Sequence, residues 1–570
     1  MALAGGLAPT SGLAQAIERN LPRSEPRPDA PVITPAPALQ DDATPLGPQL
    51  SALILLGGAD AADLGAPQPR GIDLHRVERL KDTERRFQAF LGRPISRKLI
   101  SEIEAEILEI HRSQGHPLIN ISAPPQDIND GVLRIRVMEF KLGSVNIPTG
   151  SPLEGKYIAD RVHLKPGDVV DTNVLSEDLE WLNRYAFRQI TVAFSPSQRP
   201  GSADVKLQAE SARPWRVSAG YANSGTPQTG LDRYFIAAQA RVPGLRDAVA
   251  SYQSTVSGDV LLDHGQIFHP APDPLYRSNG LSLIVPTLPR QSLELTLNDI
   301  QTNQPFEAFI ANSSILEASV GYHSAASGLG LGMPGEFSLG LEARQSVSKI
   351  KFDGVVVNDA RFDVYQLFLG YAWRGNSRLG AAQVATNVHI SPGGVNAHNT
   401  DRAFAGYSTN RFTSAEYSYA TAGITLLSPS FSTMGIDDLQ LYSNLTAQYA
   451  NKSMPATEQM GLGGASAVRG YTLDDGAFDS GAVLRTELRR RSTSLLRSDD
   501  ALTSSVFLDV GYGKANYTRE EQTAAAIGAG VNYRLAQRLT LSLDVAAPLS
   551  DLGGTRSGRA RVQSLLAVSF

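Results

Sequence analysis

From about Trp215 to the last residue, apolar and polar side chains alternate with a period of two, the repeat that sets successive residues on opposite faces of a strand. In "LQLYSNLTAQY", Leu439, Leu441, Leu445, Ala447 and Tyr449 share one face, while Gln440, Asn444, Thr446 and Gln448 share the other. In "VYQLFLGYAW", Tyr365, Leu367, Leu369, Tyr371 and Trp373 form an apolar row ending in aromatics, and "LTLSLDVA" sets Leu539, Leu541, Leu543 and Val545 against Thr540, Ser542 and Asp544. One such segment fits a half-buried strand of a soluble sandwich. Many in succession, with aromatics where a membrane interface would lie, fit lipid on one face and water on the other. Residues 213–570 are therefore expected to form a transmembrane antiparallel β-barrel, whose strands need only about ten residues each to cross a bilayer. The final "VQSLLAVSF" keeps the pattern, with Val562, Leu566, Val568 and Phe570 on one face, so the last residue is itself an outward aromatic.

The first part of the chain follows other periods. Residues 1–50 hold nine of the 34 prolines and read as an extended linker, preceded by a short helix over 11–21 that Ser11 caps and Pro22 stops. "MALAGGLAPTSG" lacks the basic start and sustained apolar core of a secretory signal, which is expected to have been removed or to lie outside this start. From 51 to 212 the pattern is mixed α/β. "ISRKLISEIEAEILEIHRSQG" spaces Ile100, Ile103, Ile107 and Ile110 as one helix face, between a Ser96 N-cap and a Gly115 C-cap, and strand-like "GVLRIRVMEF" follows. The order then repeats: strand "LGSVNI", helix "TNVLSEDLEWLNRYAF", strands "QITVAFSP" and "ADVKLQAE". Two helix-and-sheet modules, 51–139 and 140–212, are expected ahead of the barrel.

Composition removes several classes of function. A net charge of -5 over 570 residues carries no polybasic footprint, so nucleic acid is not an expected partner. Cysteine is absent, which excludes disulfides, thiolate metal sites and cysteine nucleophiles. No G-x-S-x-G elbow occurs, and no catalytic constellation marks an enzyme. His264 and His269 lack a third ligand at a fixed spacing, and Asp474, Asp475 and Asp479 lack the ligand ladder of a calcium loop, so the histidines are read as surface residues and the aspartates as a solvated acidic loop. No metal or cofactor is expected.

"PPQDINDGVLRIRV", "LNRYAFRQITVAF", "NSGTPQTGLDR" and "SAVRGY" resemble, in this order, the signatures of the two-partner secretion transporters, the haemolysin secretion/activation (TpsB) family of the POTRA-plus-barrel superfamily. The resemblance spans nearly everything after residue 75. Two departures stand out: "ALILLGGADAADLGAPQPRG" is unlike the usual opening strand of the first module, and Phe140 follows Glu139 where the family commonly has glycine. The resemblance implies a barrel of about sixteen strands, two POTRA modules, a pore-plugging N-terminal helix and a bacterial outer-membrane location with the modules in the periplasm. It also implies export of an unfolded partner exoprotein, contact with outer-membrane lipid, and recognition of Phe570 by the barrel-assembly machinery. An insertase of the same superfamily, which usually carries more modules, and a passive porin are the alternatives.

Within that frame, "GLGGASAVRGYTLDDG" is not a phosphate loop, because no apolar strand precedes it and no helix opens after it. In "VFLDVGY" the lipid-facing set Val506, Leu508, Val510 and Tyr512 turns Phe507, Asp509 and Gly511 inward, and in "GAVLRTELR" the same logic turns Arg485, Glu487 and Arg489 inward. A carboxylate on an inner wall is costly to leave unpaired. The resemblance assigns Asp509 as the anchor of a lumen loop, residues 461–480, whose Val468, Arg469, Gly470 and Tyr471 match the family's VRGY motif. Phe507 and Gly511 complete the anchoring strand, and Glu487 is placed to share the arginine.

Overall fold

The computed structural model describes residues 40–58, 60, 70–149, 152–184, 187–211, 213–245, 247–260, 262–263, 266–267, 274–306, 308–433, 435–493, 495–536 and 538–570. The helix expected at 11–21, His264 and His269 lie outside them. The described residues divide into two compact units, 40–211 and 213–570.

The first unit holds the two modules. In the first, Ala52–Gly57 lies between Gly71–Asp73 and Val132–Glu139, parallel to both, and Ile119–Ser122 pairs antiparallel with Val132–Glu139. The helix Arg97–Ser113 covers this sheet. Ser96 caps it by accepting from the Leu99 amide at 3.2 Å, and Ile103, Ile107 and Ile110 pack with Leu53, Leu55, Leu133 and Ile135. "ALILLG", the atypical opening, is thus an interior strand: apolar on both faces, as a strand flanked by parallel neighbours must be. Residues 45–50, expected in the linker, belong to this module instead. Pro45–Gln49 pairs with Pro94–Ser96, and Leu50 joins the core. Two prolines fit there because the pairing is a two-stranded edge that leaves amide positions unused.

The second module orders its strands Lys141–Asn146, Ser202–Ser211, Arg188–Pro196, with helices Pro152–Ala159 and Thr172–Asn183. Asp171 caps the latter through the Asn173 and Val174 amides, and Leu175, Leu179 and Leu182 fill the core. The modules are joined where the first long helix ends: Gly115 accepts from both the amide and the hydroxyl of Thr172, at 2.8 and 3.0 Å.

Seventeen strand segments close the barrel, and the three-residue Phe431–Thr433 merely flanks the hairpin of Glu416–Leu427 and Ile436–Ala450, leaving sixteen that span it. All neighbours are antiparallel. The first, Trp215–Ala222, meets the sixteenth, Arg561–Ser569, in register Ser218–Ser569 to Ala222–Leu565, and the Phe570 amide donates to Val217 at 2.9 Å. The Phe570 side chain stands outside, 69% exposed. Alternation follows the sequence pattern: Val506, Leu508, Val510 and Tyr512 are exposed on the outer face, and Asn444, Thr446 and Gln448 are buried on the inner one. Between the ninth strand, Gly380–Pro392, and the tenth, Glu416–Leu427, the helix Asp401–Ser408 packs Phe404 and Tyr407 on Phe362, with ring centroids 5.0 and 4.4 Å apart.

Candidate functional site: a loop folded into the barrel

The eleventh strand, Ile436–Ala450, and the twelfth, Ser480–Thr493, are joined by residues 451–479, which run through the barrel interior. The glycines of "GLGG" serve a tight crossing rather than an anion cradle. Gly463 bridges Val468 in parallel, Val468 donates back to Leu462 at 2.9 Å, and Gly464 donates to Tyr471 at 3.1 Å. Met460, Leu462, Val468, Tyr471 and Phe478 form an apolar cluster with Val483, Ala524 and Ala526 of the wall. Gly470 has φ +90°, and a Cβ there would press on Ala546 and Pro548 at 3.2 Å; glycine alone satisfies both limits.

That turn aims Arg469 at the wall, where it is 2% exposed. Its Nε and Nη2 donate to the two oxygens of Asp509 at 2.7 and 2.8 Å, and its backbone amide adds a third bond at 3.2 Å. Nη1 meets Glu487 at 2.9 Å and Asp544 at 3.8 Å, and the guanidinium lies 3.4 Å over the Phe507 ring. Bidentate, charge-assisted bonding plus a π face is the environment that suits arginine and not lysine. Around it, Arg485 reaches Glu487 and Asp509 at 3.7 and 3.9 Å, and Arg489 holds Glu487 at 2.7 Å. Three arginines thus face three carboxylates, Asp509, Glu487 and Asp544, and the buried cluster balances its charge. Gly511 lies under Val468 and Leu462, and the Tyr471 hydroxyl donates to the Ser550 carbonyl at 2.7 Å.

The structure therefore brings Val468, Arg469, Gly470, Tyr471, Glu487, Phe507, Asp509 and Gly511 into one cluster. Of the acidic stretch, Asp474 is exposed as expected and the other two are not. Asp475 and Asp479 are buried, not solvated, because each carboxylate satisfies backbone amides that the folded loop would otherwise strand. Asp475 accepts from Thr472, Gly554 and Thr555 amides at 2.6–3.0 Å, tying this loop to the last connection of the barrel, between Leu539–Pro548 and Arg561–Ser569, and Asp479 accepts from Met454 and Asn516 amides at 2.7 Å.

Two features escaped the sequence reading. The fourteenth strand, Glu521–Leu535, turns Ala524, Ala526, Gly528 and Gly530 inward; a Cβ on Gly528 would strike the Phe507 ring, and one on Gly530 the Asp544 carboxylate. The "AAAIGAG" alternation of small residues is the signal that could have shown it. The second is Glu458, 1% exposed on the descending arm of the loop, which ion-pairs with Arg344 and accepts from the Tyr419 hydroxyl at 2.8 Å.

A closed barrel with an apolar outer face, helix-and-sheet modules before it and an arginine loop pinned to its inner wall define a membrane barrel of the POTRA superfamily. Residues 335–534 match the family model for the haemolysin secretion/activation protein ShlB/FhaC/HecB, and residues 68–139 that for the ShlB-type POTRA domain. The heme/hemopexin transporter protein HuxB of Haemophilus influenzae strain 86-028NP is 22% identical over 509 residues, covering 81% of this chain and 79% of its own. The outer membrane transporter CdiB of Dickeya dadantii strain 3937 is 22% identical over 484 residues, covering 81% and 78%. The solved CdiB from Escherichia coli superposes with a TM-score of 0.63 over 95% of this chain and 94% of that one, at 16% identity. These matches identify the chain as a two-partner secretion transporter of the haemolysin secretion/activation family, resident in the outer membrane with its POTRA modules in the periplasm.

Proposed function

We infer that this protein exports a partner polypeptide across the outer membrane through its own barrel, and that the lumen loop must leave its wall anchor for the polypeptide to pass. The observation that carries the second part is the cluster around Arg469, because a buried arginine with two carboxylate partners holds the loop in one discrete place and can exchange them. In the periplasm, the modules capture the unfolded partner by strand addition. Arg188–Pro196 is the edge of its sheet, and the Asn183 side chain already fills the Ile190 positions at 2.6 and 2.9 Å, which leaves Val192 and Phe194 to offer main-chain bonds. Folding of the partner outside supplies direction without nucleotide hydrolysis. Phe570, outward on the last strand, is the group read by the barrel-assembly machinery, and the exposed apolar rows contact outer-membrane lipid.

The absence of cysteine makes the test clean. A Cβ on Gly511 would sit 2.9 Å from Cγ2 of Val468, close to the ~3 Å that separates a disulfide Cβ from the far sulfur. The Val468→Cys, Gly511→Cys protein should secrete its partner when reduced and stop when a mild oxidant joins the two thiols, recovering on addition of dithiothreitol. Undiminished secretion by the oxidised, cross-linked protein would sink the idea that the loop moves.

A further inference from the structure

We propose that Glu458 is a second latch of the lumen loop, holding it to a different sector of the wall from Arg469, so that the pore opens only when both release. Resting on the reading that the loop moves during export, it names residues which that reading does not use.

Glu458 is buried, and its carboxylate meets three side chains of the barrel wall and one of the loop itself. It pairs with Arg344 on the seventh strand, Glu336–Phe352, and accepts from Gln366 on the eighth, Val355–Ser377, at 3.2 Å and from Tyr419 on the tenth, Glu416–Leu427, at 2.8 Å. The neighbouring Thr457 hydroxyl adds a bond at 3.0 Å, and Gln448 fixes the Glu458 carbonyl at 2.9 Å. The Arg469 anchor uses the twelfth strand, the thirteenth, Asp500–Lys514, and the fifteenth, Leu539–Pro548. From the eighth strand to the thirteenth is five of sixteen, so the two latches hold the loop to sectors about a third of the circumference apart. A loop fixed at one point could swing; one fixed at both is stretched across the interior.

The chemistry of the two latches is shared. Each wall group except Asp544 has a resident counter-ion besides the loop's. Arg344 keeps Glu317 at 2.7 Å, Glu487 keeps Arg489 at 2.7 Å, and Asp509 keeps Arg485 at 3.9 Å. When the loop withdraws, these wall charges stay paired, Asp544, whose side chain is 25% exposed, is left to solvent, and Glu458 and Arg469 carry their charges to water. A buried ion pair is expensive to break chiefly because one partner is stranded. These are arranged so that no deeply buried wall partner is, which fits contacts that are made and broken in each cycle and not a permanent brace.

The test uses the full-length protein in planar bilayers, with heat-modifiable gel mobility as the check on barrel assembly. Glu458→Gln should raise the frequency of large openings by roughly tenfold or more, the factor expected for losing a charged hydrogen-bonded contact, and Glu458→Asp should return it toward the parent. A purely structural role would change assembly and not gating. Unchanged openings in Glu458→Gln, beside raised openings in Arg469→Ala, would overturn the latch alone; unchanged openings in both would overturn the mobile loop as well. Should Glu458→Gln fail to assemble, Tyr419→Phe, which deletes one hydrogen bond, should still raise the opening frequency severalfold, and an unaltered frequency there would overturn the latch.

Discussion

The two modules and the barrel solve burial in opposite ways. In the modules, what is hidden is mostly hydrocarbon: Leu53, Leu55, Ile103, Ile107, Leu133 and Ile135 pack against one another. In the barrel, hydrocarbon faces out along Val506, Leu508 and Val510, and what is hidden includes Arg469, Asp509, Glu487 and Glu458. A module core is limited by volume and shape, so it tolerates hydrophobic exchange and fails when a cavity opens. The barrel interior is limited by charge balance, so it tolerates small changes of shape and fails when one partner is removed. The difference explains how a single chain can contain a rigid scaffold and, inside it, a part able to exchange contacts.

Removing one charge should have the largest effect. Asp509→Ala leaves Arg469 with only part of its counter-charge, a cost on the order of 3–5 kcal/mol in a dry site. Secretion should collapse while heat-modifiable mobility shows an assembled barrel. The swap Arg469→Asp with Asp509→Arg should recover part of the loss, since direct partners couple in a double-mutant cycle. Full secretion by Arg469→Ala would remove the buried cluster from the mechanism. Next comes volume: Leu55→Ala should cost the first module about 2–5 kcal/mol, read as faster proteolysis of the periplasmic region in the assembled protein. Leu55→Met should cost under about 1.5 kcal/mol, and an equal loss from both would contradict a core governed by volume. On the outer face, Leu508→Arg should destabilise the barrel by about 2–4 kcal/mol if that position lies near the bilayer midplane, lowering the temperature of its mobility shift.

The smallest effect is one of pH. Burial holds the His111 imidazole of the first module below its ordinary value near 6.5, opposed by its bond to the Ile107 carbonyl and by Glu139. The unfolded chain then binds the proton more readily, so stability is full above about 6.5 and is lost as pH falls through the lowered folded value. The protease resistance of the modules should therefore drop on acidification, and His111→Gln should flatten that slope. A slope that persists in the variant would assign it to other groups.

The sequence made the outward face of the barrel legible, because lipid demands an unbroken apolar row and "VFLDVGY" or "LTLSLDVA" supplies it. The Arg469–Asp509 pair was reachable only through the VRGY resemblance, since forty residues separate the partners. Glu458 gave no signal: it stands in the polar "NKSMPATEQM", and its wall partner Arg344 is 114 residues away. Asp475 and Asp479 looked solvated because composition reports polarity and not which amides need an acceptor. The strand Pro45–Gln49 hid among linker prolines, whose local preference a two-stranded edge does not oppose.

The inward row Ala524, Ala526, Gly528, Gly530 also constrains how the protein can vary over generations. Its lack of side chains is the space that Phe507, Asp544 and the loop occupy, so the two surfaces are a mould and its cast. At 528 any side chain would meet the Val545 carbonyl as well as the Phe507 ring, so a smaller residue at 507 makes no room there, whereas enlargement at 530 asks 544 to shrink in the same lineage. Among descendants of this gene, 530 and 544 should change together or not at all, and 528 should stay glycine.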